Sequence, residues 1–130
     1  MQWSQLPRLL VYGFTTYAAI FMLWALFAAY ALARGPAPRV TAWAATAIVV
    51  FYAAKLMQLE SLKQTFVVGL VWAIMHLLLD ALYVIPAAGI LAFTTYYVWT
   101  NYAIVFVTPL LAFMVNVLSR RGENLSVPTP

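Results

Sequence analysis

Residues 9–33 read LLVYGFTTYAAIFMLWALFAAYALA, twenty-five residues without a charge. At 1.5 Å per residue this run makes a helix about 37 Å long. The hydrocarbon core of a bilayer is about 30 Å thick, so the run crosses it with room to tilt. A strand reading fails, because a barrel strand alternates polar and apolar residues over about 10 positions and this run does not. The stretch RGPAPR at 34–39 ends the segment. Gly35 suits the position just past a helix, and Pro36 and Pro38 forbid continuation. The apolar run exceeds the 7–15 residues of a signal peptide, and no small-residue cleavage site follows directly, so a retained span is expected.

Three further spans follow on the same reasoning, at about 40–59, 65–85 and 96–118. Residues 60–64 (ESLKQ) are a short polar connection, residues 86–89 break the third span, and SRRG at 119–122 closes the fourth. Pro109 lies inside the fourth span, where a kink is expected that neighbouring helices satisfy. The tail at 123–130 reads as disordered. The fold class is therefore all-α, an integral membrane four-helix bundle forming a single four-span domain over residues 1–122.

Composition agrees. Of 130 residues 66% are hydrophobic and 8% charged, and the mean hydropathy is +0.93. A soluble domain is about 45–50% apolar and about 25% charged. Disorder of the whole chain is excluded, because it needs low hydrophobicity and high charge. The net charge of +4 is spread along the chain, which speaks against nucleic acid as a partner and leaves the lipid bilayer. With no cysteine, disulfides, thiolate metal sites and cysteine nucleophiles are excluded.

Four spans place both termini and the 60–64 connection on one side. That side carries Arg8, Lys55, Lys63, Arg120 and Arg121, against Arg34 and Arg39 on the other. The positive-inside rule then puts both termini in the cytoplasm, with the chain in the inner (plasma) membrane. Trp3, Trp43, Trp99, Tyr30, Tyr83, Tyr96 and Tyr97 fall near span ends, where aromatic belts sit. Ala25, Ala28, Ala29 and Ala33 are expected to pack against Ala42, Ala45, Ala53 and Ala54, since small residues let membrane helices approach.

One constellation carries chemistry. A charge inside a membrane costs about 2.5–3.5 kcal/mol on insertion scales and marks a functional site by default. His76 and Asp80 are four residues apart and share one helix face, which Trp72 and Tyr83 extend. Counting depth from the outer span ends sets Asn101 and Tyr102 opposite Asp80, both able to donate to a carboxylate. The same count sets Trp24 level with His76. The candidate proton or ligand site is thus His76, Asp80, Asn101, Tyr102 and Trp72. His titrates near neutral pH, so the set suits proton-linked chemistry. The alternative is a hydrogen-bond network that holds the third and fourth helices in register, each bond worth about 0.6 kcal/mol.

The run GLVWAIMHLLLDALYVIPAAG at 69–89, followed by the Tyr-bearing helix NYAIVFVTPLLAF, resembles small uncharacterised bacterial four-helix inner-membrane proteins. Gly69, Trp72, Leu79, Asp80 and Pro86 carry the likeness, which covers about residues 61–116. It implies the same architecture and transfers no activity.

No catalytic triad, phosphate loop or acid pair occurs, so no enzyme and no catalytic residue is expected. One His and one acid are too few for a metal site. Three roles stay open. The first is an accessory or self-associating structural subunit, alone or within a larger membrane complex. The second is a homo-oligomeric proton-linked small-solute transporter or channel using Asp80 and His76. The third is haem or pigment binding through His76, although no cofactor is expected.

Overall fold

The computed structural model describes residues 5–30 and 35–125. Trp3, Ala33, Arg34 and residues 126–130 lie outside the described residues. Four long α-helices, α1 (Leu6–Ala29), α2 (Ala37–Leu56), α3 (Leu62–Ala88) and α4 (Tyr96–Leu125), follow one another, with a short 3-10 helix (Ile90–Thr94) before the last. Each of the four is long and apolar enough to cross a membrane. Between 22% and 28% of each span is buried inside the bundle, and Phe14, Met22, Leu78, Leu82 and Leu111 point outward. That exterior would be unstable in water and suits hydrocarbon.

Local chemistry sets the helix ends. Pro7 in the first turn of α1 and Pro38 in that of α2 fit where backbone N–H groups have no helical partner. Ser61, in extended conformation, caps α3 by accepting from the Gln64 N–H at 3.2 Å, while Gln64 Oε1 accepts from the Glu60 N–H. Pro86 does not break α3. It sits in the last turn, where it forfeits one backbone bond, and the helix runs on to Ala88. Gly89 ends it, with φ at +79° and its N–H bonded to Ile85 O at 2.8 Å. The other end of the chain differs as well. α4 continues through Pro109 and past 118 to Leu125, so residues 123–125 are helical rather than part of a disordered tail.

The helices form a ring in the order α1, α2, α4, α3. α4 packs most extensively, against α2 and α3, and α1 completes the ring by touching both of them. The core lies toward the end that bears the α2–α3 connection. Leu9 of α1, Val50, Ala53 and Ala54 of α2, Val68 and Trp72 of α3, and Val105 and Ala112 of α4 meet there. On α1 the buried stripe is Leu9, Gly13, Thr16, Tyr17 and Ile20, the spacing of one helical face. The expected alanine contact therefore fails on one side. Ala42, Ala53 and Ala54 are buried, but Ala25, Ala28 and Ala29 are exposed, because α1 packs through its first half.

Two glycines permit close approach. A Cβ on Gly69 would stand 2.5 Å from the Phe106 carbonyl oxygen, so α3 and α4 touch backbone to backbone there. A Cβ on Gly13 would meet the Trp72 ring at 2.7 Å. That ring is fixed, because Trp72 Nε1 donates to Leu9 O at 2.9 Å.

Candidate functional site

The buried face of α3 comprises Thr65, Val68, Gly69, Trp72 and His76, with Asp80 one turn further on and only partly buried. With the fourth span ending at Ser119, Asp80 is the only acid within the described spans. Tyr17 of α1 donates to Asp80 Oδ1 at 3.0 Å, and Tyr102 of α4 donates to Oδ2 at 2.7 Å. Both oxygens are thus held by hydroxyls from two other helices, and three helices meet on one carboxyl group. No Lys or Arg among the described residues pairs with it.

His76 is fully buried. Its Nε2 lies 3.3 Å from Thr16 Oγ1, and the Thr16 hydroxyl donates to Gly13 O at 2.8 Å. A hydroxyl has one proton, so with that proton on Gly13 O the imidazole is the donor toward Thr16. Nε2 thus faces a hydroxyl rather than open space. His76 and Asp80 make no direct bond. Tyr17 joins them, since its ring packs edge-on against His76 at 5.3 Å while its hydroxyl holds Asp80. Among the described residues no three His, Cys, Asp or Glu side chains come together.

The depth count needs two corrections. Asn101 does not meet Asp80. It faces α2, where its side-chain amide lies 2.9 Å from Thr46 Oγ1, and Thr46 in turn donates to Ala42 O. The Thr46 hydroxyl thus stands between two acceptors, Ala42 O at 2.8 Å and Asn101 Oδ1 at 2.9 Å, and its one proton serves both. Residues 101 and 102 point about 100° apart on a helix, so only one of them can face α3. Trp24 is not level with His76 either. It packs against Tyr97 at the other end of the bundle, at 5.1 Å. The cause is in the helix ends, since α1 stops at Ala29 and α3 reaches Ala88. Twelve residues back from Ala88 is His76, and twelve back from Ala29 is Tyr17.

Counting depth along the chain does not reach Tyr17 and Thr16. Their signal was present, as both fall on the helical stripe that starts at Leu9 and Gly13. Trp72 is on the expected face, but it braces α1 through Leu9 and does not reach the carboxyl group. Tyr83 is exposed and packs on Phe21. Of the expected belt, Tyr30, Tyr96 and Trp99 are exposed at span ends. Trp43 and Tyr97 instead stack on each other at 5.4 Å, and Trp43 Nε1 donates to Tyr97 O at 3.4 Å. Together with Trp24 they close the end of the bundle opposite the core. Compared with protein-family models, curated proteins and solved structures, the chain matches none.

Proposed function

We propose that this is a small multi-pass inner-membrane protein in which Asp80, held by Tyr17 and Tyr102, is the proton-binding centre of a proton-linked small-solute transporter or channel. The supporting observation is a carboxyl group bound by two neutral hydroxyls and by no basic side chain among the described residues. Magnitudes favour this over a purely structural role. A charge in the span costs about 2.5–3.5 kcal/mol. Two interhelical hydrogen bonds return about 0.6 kcal/mol each, which is less than half. An asparagine would make comparable ties between the helices without that cost. The acid is therefore explained by what it can exchange, a proton or a cation, rather than by what it holds together. His76, joined to it through Tyr17, extends the polar line toward Thr16.

A four-helix ring leaves little room for a solute at its centre, so the working unit is a homo-oligomer. The excess of Arg and Lys at the ends of α2 and α4 supports cytoplasmic termini. The second reading is an accessory or self-associating structural subunit. It draws on the same geometry, because one carboxyl group ties three helices.

The two readings separate in proteoliposomes that carry an internal pH dye. The wild-type chain should relax an imposed proton gradient faster than empty vesicles. Asp80→Asn should fall to the empty-vesicle rate while staying assembled, and Tyr17→Phe and Tyr102→Phe should lie between. A wild type no faster than empty vesicles, or an Asp80→Asn variant that still conducts, would refute the proposal. An Asp80→Asn variant that falls apart in detergent would favour the structural role.

A further inference from the structure

The outer surface of the bundle carries a groove of about 320 Å³ between α1 and α2. Its floor is Thr16 and Ala53, small and buried. Its walls are Tyr12, Ile48, Tyr52 and Leu56, of which the last three are exposed. The lining is almost wholly apolar. From Ile48 to Leu56 it runs about 12 Å along the helix at 1.5 Å per residue. One leaflet of the hydrocarbon core is about 15 Å deep. Ile48 lies near the middle of α2 and Leu56 at its end. The groove therefore spans a single leaflet, from mid-membrane to the end that bears the α2–α3 connection.

Both helices continue the groove with a basic residue at the interface. Arg8 stands one turn before Tyr12 on the stripe of α1 that lines the groove, and Lys55 stands three residues after Tyr52, at the outer edge of the α2 wall. Both are exposed. The Lys55 amine rests 5.8 Å from the Phe51 ring centroid and has no acid partner among the described residues. Counting along the sequence, Arg8, Lys55, Lys63, Arg120 and Arg121 belong to this end, against Glu60 and Glu123. An apolar slot one leaflet deep that opens at the more basic end of the bundle fits an anionic amphiphile.

We infer that the α1–α2 groove is a lipid site that holds one acyl chain of an anionic phospholipid, with the headgroup between Arg8 and Lys55. Its floor residue Thr16 also contacts His76, so an occupied groove would brace the wall behind the imidazole. The inference stands on the groove and its cations and does not require the transport reading.

Native mass spectrometry of the detergent-purified full chain tests it, titrated with phosphatidylglycerol and with phosphatidylcholine of the same acyl chains. One phosphatidylglycerol should be retained with a preference of about tenfold, since each basic residue near an anionic headgroup contributes a few-fold. The double variant Arg8→Gln, Lys55→Gln should bind both lipids alike. Thr15→Phe, at an exposed position on the groove rim, should lose both lipids. The substituted positions are exposed, and unchanged helical circular dichroism verifies the fold. Equal retention of the two lipids by the wild type would overturn the inference. So would undiminished retention by Thr15→Phe, competition by glycerol phosphate without acyl chains, or a dimer that Thr15→Phe disrupts while lipid retention is unaffected.

Discussion

Replacing Gly69 by alanine tests whether the helix contact and the site are one structure. The new methyl carbon would lie 2.5 Å from Phe106 O and 3.3 Å from its carbonyl carbon. Carbon–oxygen contacts between packed helices settle at about 3.3–3.6 Å, so α3 and α4 must part by roughly 0.8–1.1 Å. The obstructing atom is backbone, so no rotamer change relieves it. Overpacking of this kind costs about 1–3 kcal/mol. The effect also reaches the carboxyl group, because Tyr102 lies one turn before Phe106 on the same face of α4. Its 2.7 Å bond to Asp80 would lengthen to about 3.5 Å, beyond good hydrogen-bond geometry. Reversible unfolding in bicelles measures the first effect, and the infrared carboxyl band of Asp80 measures the second. Stability should fall by about 1–3 kcal/mol and the band should shift. If the variant keeps wild-type stability and an unmoved band, the helices are not in backbone contact and the reasoning is wrong.

Three further outcomes follow from the same packing. Gly13→Ala forces its methyl against a Trp72 ring fixed by Leu9, so stability should drop by about 1–3 kcal/mol, and Trp72→Ala in the same chain should relieve the clash. Thr46→Val removes the partner of the Asn101 amide and should cost between about 0.6 and 1.7 kcal/mol; it touches α2 and α4 only, so gradient relaxation in vesicles should match wild type. The buried Tyr97 hydroxyl makes no well-formed hydrogen bond among the described residues and has the Trp24 indole beside it, so Tyr97→Phe should change unfolding stability by less than about 1 kcal/mol, and a larger loss would show that the Trp24 N–H holds the hydroxyl.

The number of helices, their apolar exterior and the shared face of Trp72, His76 and Asp80 follow from the sequence alone. Run length against bilayer thickness determines the first two, and the 3.6-residue period determines the third. These are one-dimensional properties, set by local chemistry and read along the chain. Partnership across helices is different. It depends on where each helix stops and how it is rotated, and errors of a few residues there move a side chain by a full turn. Ending α1 past Ala29 put Trp24 opposite His76, and ending α3 before Ala88 hid Tyr17. Adjacent residues of α4 at one depth looked equivalent, yet rotation sends Tyr102 to Asp80 and Asn101 to Thr46. Only the packed ring decides such pairings, because the close approaches at Gly13 and Gly69 fix the rotation of α1 and α4 against α3.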